Sequence, residues 1–124
     1  MEADDYFKRG IRHYEDGDYD SAISDYTKAI QSDSNYVSAW CNRGLVWRKK
    51  GDFQKAVTDL DETIRLDSNN ADAFAVRSAA LGRRGEPDKT IAEFGYAFRI
   101  DPNNQRALHN RSFALSMKKH AGEA

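Results

Sequence analysis

Large side chains recur along the chain at intervals of 34 residues, and positions that carry only small side chains recur at the same interval. The large positions form three series: Tyr6, Trp40, Phe74 and Leu108; His13, Trp47, Leu81 and Leu115; and Tyr26, Leu60 and Phe94. The small positions form two series: Gly10, Gly44, Ser78 and Ser112; and Ala22, Ala56 and Thr90. Because a large side chain fills the space that a small residue leaves on a neighbouring helix, this pattern predicts closely packed helices.

Each period predicts two helices separated by a glycine-containing turn. The first helices are predicted at about 4–15, 37–50, 71–84 and 105–118, and the second helices at about 19–31, 53–66 and 87–100. Gly17, Gly51 and Gly85 stand at the ends of first helices, where glycine can adopt the left-handed conformation that terminates a helix. Connections this short require each helix to lie antiparallel to the next.

The second period shows the pattern most completely. It carries Trp40, Gly44, Trp47, Gly51, Ala56 and Leu60. These residues resemble the tetratricopeptide repeat, and the first and third periods match it in register. The resemblance implies an all-α fold, a right-handed superhelical stack of antiparallel helix pairs (an alpha-alpha solenoid). It also implies one domain over residues 1–124, with repeats at about 3–36, 37–70 and 71–104 and a capping helix at about 105–119.

The last predicted helix has no partner helix predicted after it. We expect Leu108 and Leu115 to face inward, with basic residues spread around the outside. That arrangement is typical of the polar cap that a repeat stack needs at its end.

Four arginines, Arg9, Arg43, Arg77 and Arg111, occupy a position where the family usually has leucine. The second helices carry acids at the same period, namely Asp25, Asp59 and Glu93. We therefore predict the pairs Arg9–Asp25, Arg43–Asp59 and Arg77–Glu93, which can set the register of the helices by bidentate hydrogen bonding.

Charge and cysteine content exclude several classes of function. The chain of 124 residues has 19 basic and 20 acidic residues, a net charge of -1, so it gives no global reason to expect nucleic acid. Cys41 is the single cysteine and cannot form an internal disulfide. The N-terminal residues 1–5 are acidic and no run of 18 apolar residues occurs, so we expect no membrane association and a cytoplasmic location.

The pattern of reactive residues predicts no catalysis and no cofactor. The three histidines, His13, His109 and His120, form no pair spaced for a metal, and His13 is predicted to be a packed core residue. Asp16, Asp18 and Asp20 begin like a calcium loop, but Ser21 and Thr27 stand where the loop needs Gly and Glu. We find no phosphate-binding loop or nucleophile elbow, so the sequence predicts that the chain is not an enzyme.

The family resemblance implies that the first helices line a concave face that binds a peptide. The residues implied for this face are Phe7, Lys8, Ile11, Asn42, Leu45, Arg48, Lys49, Val76, Ala79, Arg83, Arg106, His109, Asn110 and Phe113. They combine apolar side chains with a basic margin, which suits an acidic or amphipathic peptide segment of a partner protein. The alternative is that the concave face binds nothing and is simply half buried and partly covered by its own terminal helix.

Two further expectations concern partners. Family members that hold the C-terminal tails of heat-shock chaperones use a clamp of Lys, Asn, Asn, Lys and Arg. The matching positions here are Phe7, Ile11, Asn42, Asp72 and Val76, of which only Asn42 agrees, so we expect no tight binding of such tails. The other hypothesis is a structural module that associates with itself as a homo-oligomer or forms part of a longer superhelix.

Overall fold

The computed structural model describes residues 1–83, 85 and 87–123, without the side chains of residues 87, 113, 114, 117, 118 and 120–123. The described residues form seven helices. They are α1 (Ala3–Glu15), α2 (Tyr19–Ser32), α3 (Val37–Lys50), α4 (Phe53–Leu66), α5 (Ala71–Arg83), α6 (Pro87–Ile100) and α7 (Gln105–Glu123). The predicted bounds of the first six helices agree within one residue, whereas α7 is longer than predicted.

The turns inside the helix pairs form for the predicted reasons. Gly51 ends α3 in the left-handed region at φ 88°, and Gly17 lies there at φ 78°. Asp18 and Asp52 follow these glycines, and their side chains accept hydrogen bonds from the backbone amides of Ser21 and Lys55. These bonds satisfy amide groups that the first turn of a helix leaves without a partner.

Successive helices pack into a right-handed superhelical stack of antiparallel pairs, α1 with α2, α3 with α4 and α5 with α6, and α7 lies against α5 and α6. The predicted fit of large residues to small positions is confirmed. A Cβ atom added to Gly10 would lie 2.6 Å from Cε1 of Tyr26, and one added to Gly44 would lie 2.9 Å from Cγ of Leu60. Tyr26 and Leu60 are almost completely buried, so glycine is what allows these helices to approach so closely.

All three predicted arginine–acid pairs are confirmed. Arg9 donates to both carboxylate oxygens of Asp25, over 2.9 and 2.7 Å, and Arg43 donates to both oxygens of Asp59, over 2.8 Å each. Arg77 donates to one oxygen of Glu93 over 2.9 Å. The acids of the two bidentate pairs are buried, so each carboxylate exchanges water for a guanidinium group of matching geometry.

Two of the arginines also donate hydrogen bonds to a further helix, which the sequence pattern did not predict. Arg43 donates to the hydroxyl of Thr27 on α2 over 3.1 Å, and Arg77 donates to Asp61 on α4 over 2.9 Å. Each of these arginines therefore joins the second helix of its own pair to the second helix of the preceding pair. Thr27 and Asp61 are themselves 34 residues apart, a signal that the sequence contained.

Two expectations about packing were wrong. Leu108 and Leu115 on α7 do not face inward; they are 42% and 44% exposed. In α5 the corresponding residues are packed, Phe74 against Phe94 and Ala97 of α6 and Leu81 against Ala56 and Val57 of α4, whereas no described helix covers that side of α7. His13 is half buried rather than a core residue, and its Nε2 lies 3.5 Å from the carboxylate of Asp25.

Candidate functional site

Two adjoining cavities form a groove along the first helices, and together they constitute the central groove. The first has a volume of about 310 Å³ and is lined by Ile11, Tyr14, Glu15, Tyr26, Asn42, Leu45, Val46 and Arg106. The second, of about 220 Å³, is lined by Ser38, Cys41, Asn42, Leu45, Asn70, Asp72, Val76 and Arg106. Asn42, Leu45 and Arg106 line both cavities, which therefore adjoin, and the walls come mainly from α1, α3, α5 and α7 with Tyr26 from α2.

The floor of the central groove depends on the packing of the first two pairs. Ile11 and Tyr14 lie against a cluster of Ala22, Tyr26 and Val46, and Leu45 lies against Leu60 and Val76. Because residue 10 has no side chain, the ring of Tyr26 extends under α1 as far as the groove. The groove therefore presents an apolar floor that the core already holds in place.

Polar groups stand at one end of the central groove. Asp72 accepts a hydrogen bond from the side chain of Asn104 over 2.8 Å, and its carboxylate lies 4.0 Å from Nε of Arg106. These contacts join α5 to the beginning of α7 and place Arg106 over the groove. Burial, with a smaller effect of the Asp72 charge, raises the pKa of the Cys41 thiol to about 11. The thiol is therefore protonated at neutral pH and is not a nucleophile.

A third cavity adjoins the carboxyl ends of α3 and α5 and is called the basic cavity below. Its volume is about 370 Å³, and its described lining residues are Arg48, Lys49, Gly51, Phe53 and Arg83. No acidic residue is among these described lining residues. Burial lowers the pKa of Arg48, and the charges of Arg106 and Arg83 lower it further. The positive charges of Arg83 on α5 and Arg106 on α7 therefore act on Arg48 of α3.

The sequence-predicted site residues fall into three groups. Ile11, Asn42, Leu45, Val76 and Arg106 line the central groove, and Arg48, Lys49 and Arg83 line the basic cavity. Phe7, Lys8, Ala79, His109 and Asn110 line none of these three cavities. The side chain of Phe113 lies outside the described residues.

Several of these residues are placed differently from the expectation. Val76 is fully buried, so it supports the groove without offering a surface of its own. Phe7 is half buried, with its ring 5.0 Å from the ring of Tyr36 and 5.8 Å from that of Tyr26. Lys8 pairs with Asp4 at 3.0 Å on the exposed side of α1. Tyr26 was not predicted as a groove residue. A residue of a second helix reaches the groove only where the first helix beside it carries glycine, which has no side chain in the way.

In the part of the chain that the structure covers, no group of three or more His, Cys, Asp and Glu side chains is placed to hold a metal ion. None of the described helices combines the length and apolar character needed to cross a membrane.

The chain matches one family of known proteins. The family model described as tetratricopeptide repeat matches residues 7–71, more than half of the chain. A search of curated proteins gave no significant match.

Solved structures resemble the whole fold. The first tetratricopeptide domain of Spaghetti (RPAP3) bound to the HSP90 peptide SRMEEVD is 21% identical, with 95% of this chain and 94% of that one covered and a TM-score of 0.89. The second such domain of human RPAP3, in complex with the HSP70 peptide SGPTIEEVD, is 27% identical, with coverages of 88% and 91% and a TM-score of 0.83. The Sgt2 domain from Aspergillus fumigatus is 15% identical, with coverages of 98% and 82% and a TM-score of 0.90.

Proposed function

We propose that this chain, which belongs to the tetratricopeptide repeat family, is a protein-interaction module that binds a peptide segment of a partner protein along its concave face. The function is non-catalytic and needs no cofactor. Support comes from the structurally similar domains of RPAP3, which hold short peptides. The central groove and the basic cavity are where we place the peptide.

The observation that carries the finer proposal is the position of the cations: Arg106 lines the apolar central groove, and Arg48, Lys49 and Arg83 line the basic cavity. An apolar floor favours Leu, Ile or Phe side chains, and burial of such a side chain contributes about 1.5–3 kcal/mol. The cationic margin favours carboxylates and excludes basic peptides by repulsion. The preferred ligand is therefore a peptide that carries both acidic and large apolar residues.

We propose a different specificity from that of domains that hold chaperone tails. Of the five clamp positions, two carry the apolar side chains of Phe7 and Val76, which have no donor for a carboxylate; Phe7 lies half buried among aromatic rings and Val76 is fully buried. Asp72 stands at another of these positions and would repel the terminal carboxylate. In calorimetry we expect the peptides SRMEEVD and SGPTIEEVD to give no complex of micromolar affinity, and such a complex would contradict this specificity.

A peptide-display selection on the immobilised chain tests the proposal. We expect selected peptides to be enriched in Asp and Glu beside Leu, Ile and Phe. The double variant Arg48→Gln with Arg83→Gln should lose the acidic preference while melting at a temperature close to that of the parent. Arg12→Gln with Arg99→Gln removes the same charge from exposed positions outside the cavities and should select as the parent does.

Two results would count against the proposal. If the parent selects no peptide, the concave face is not a peptide site. If the parent and the Arg48→Gln, Arg83→Gln variant select the same peptides, the basic cavity does not determine specificity.

A further inference from the structure

One face of α7 carries the residues that first helices elsewhere in the chain use to hold a second helix. Leu108, Arg111, Ser112 and Leu115 lie at intervals of three and four, so they share one side of the helix. In α5 the corresponding residues are Phe74, Arg77, Ser78 and Leu81. Ser78 is fully buried and Leu81 is 5% exposed, whereas Ser112 is exposed and Leu115 is 44% exposed. The same face is covered in α5 and uncovered among the described residues of α7.

The helices that cover this face in the three pairs share a sequence pattern. Each has a small residue, then an acid three positions later and a large residue directly after the acid. The three sets are Ala22, Asp25 and Tyr26; Ala56, Asp59 and Leu60; and Thr90, Glu93 and Phe94. The acid pairs with the arginine of the first helix, and Tyr26 and Leu60 fill the space beside the small residue. The chain itself therefore shows which helix this face accepts.

Among the described residues, Arg111 has neither kind of hydrogen-bond partner that Arg43 and Arg77 have. Those arginines each contact an acid on the following helix and a polar side chain on the preceding one, Thr27 or Asp61. The residue that corresponds to Thr27 and Asp61 in α6 is Gly95, which has no side chain to accept a bond. Among the described residues Arg111 has no carboxylate partner, and its guanidinium lies 5.4 Å from the ring of Phe98. Its positive charge thus remains available to a carboxylate from outside.

We propose that the exposed face of α7 is a docking site for an amphipathic helix of a partner protein. That helix carries the pattern small, any, any, acid, large, and lies antiparallel to α7 with its acid on Arg111 and its large residue over Ser112. This site is separate from the central groove and the basic cavity, and the proposal does not rest on the peptide function proposed above.

Charge excludes a symmetric contact between two copies of α7. Residues 105–122 contain no Asp or Glu, while Arg106, Arg111, Lys118 and Lys119 are all basic. Two copies of this helix placed together would bring like charges into contact and leave Arg111 without a carboxylate. The second helices of another copy are not available either, because their large residues Tyr26, Leu60 and Phe94 are buried and their acids already pair with arginines. A partner helix that offers an unpaired acid beside a large apolar residue meets both requirements.

The probe for this site is a capped synthetic peptide with the sequence of residues 52–67, which contains α4 and therefore the pattern itself. It is titrated into isotopically labelled parent protein, and the amide resonances are followed by NMR. We expect the perturbed resonances to lie in α7 around residues 108–119. Arg111→Glu should weaken the complex by roughly tenfold or more, because a charge pair becomes a repulsion. Arg12→Glu makes the same charge change at an exposed position on α1 and should leave the affinity unchanged.

Charge exchange makes the test specific. A peptide in which Asp59 is replaced by Lys should bind poorly to the parent and regain affinity for the Arg111→Glu variant. Leu115→Asp should also abolish binding while leaving the melting temperature close to that of the parent, because this side chain is already largely exposed.

Three results would overturn the proposal. The first is no perturbation up to the solubility limit of the peptide. The second is perturbation of α3 or the central groove in place of α7, and the third is unchanged affinity in Arg111→Glu. Dimerisation of the parent through Leu108 and Leu115 would replace the partner helix with a second copy and so would contradict it as well.

Discussion

The first two helix pairs and the third are joined differently, although all three follow the same 34-residue pattern. In the first two, an aspartate receives two hydrogen bonds from one guanidinium, as Asp59 does from Arg43. In the third, Glu93 receives one bond from Arg77, and Arg77 Nε and Glu93 Oε2 are buried without a hydrogen-bond partner among the described residues. The other terminal nitrogen of Arg77 donates to Asp61, just as that of Arg43 donates to Thr27.

One methylene group accounts for this difference. The longer side chain of Glu93 moves its carboxylate out of the position in which it could face both Nε and Nη2 of the arginine. Fork-to-fork pairing of arginine with a carboxylate depends on such alignment. The spacing of the residues thus determines that a pair forms. The length of the acidic side chain determines how many hydrogen bonds the arginine and the carboxylate make.

The largest expected effect is the loss of a bidentate pair. Asp59→Ala removes an acid that is 3% exposed and leaves the guanidinium of Arg43 half buried without its carboxylate. We expect the free energy of unfolding to fall by about 3 kcal/mol. Glu93→Ala should cost about 1–2 kcal/mol, because its pair makes one hydrogen bond and Arg77 keeps Asp61. Urea unfolding of both variants measures the difference, and equal losses would show that the two kinds of pair are equivalent.

The next effect concerns the close approach of helices in the first two pairs. Gly10→Ala would place a Cβ atom 2.6 Å from the ring of the buried Tyr26. We expect a net loss of about 1–2 kcal/mol, because overpacking outweighs the gain in helix propensity. Gly95→Ala in α6 is the matched control: no atom lies within 4 Å of the new Cβ, and stability should rise by about 0.5–1 kcal/mol. Thermal unfolding of the two variants should therefore shift in opposite directions.

A smaller effect is the dependence of stability on pH. The hydrogen bonds from Arg9 hold the pKa of Asp25 below its ordinary value, despite the opposing effect of burial. A lowered folded-state pKa means that this stabilisation is complete above the unfolded pKa of about 3.9 and is lost as the pH falls through the folded value. Asp25→Asn should lower stability at pH 7 and give a shallower decline below pH 4. A decline as steep as that of the parent would exclude Asp25 as a source.

The smallest expected effect tests whether the length of the acidic side chain determines how many hydrogen bonds a pair makes. Glu93→Asp supplies the third pair with the acid of the first two, and we expect stability to rise by about 0.5–1 kcal/mol as a second hydrogen bond forms. The reciprocal change, Asp59→Glu, should lower stability by a similar amount. Chemical denaturation of both variants, with Asp16→Glu as an exposed control outside these pairs, measures these shifts. A loss in Glu93→Asp would show that the backbones of the third pair lie too far apart for a shorter acid.

The site was predicted less completely than the fold. Ile11, Asn42 and Leu45 line the central groove, as expected from their places on first helices, but Val76 is buried and Phe7 belongs to an aromatic cluster. Position in a repeat indicates which way a side chain points. It does not indicate how far neighbouring helices cover that side chain. Ala79, His109 and Asn110 lie at predicted positions on first helices, yet they line none of the three cavities.

The sequence predicts the helices, the ends of the first six, their antiparallel order and the arginine–acid pairs, because capping, glycine turns and the fit of large to small residues act over short and regular intervals. Which apolar residues are covered depends on the tertiary packing. Leu108 and Leu115 occupy the positions of the half-buried Phe74 and the buried Leu81, yet they are exposed because burial requires a neighbouring helix, and none of the described helices lies on that side of α7. A residue's own identity sets its preference for burial, and its neighbours in space decide whether that preference is met.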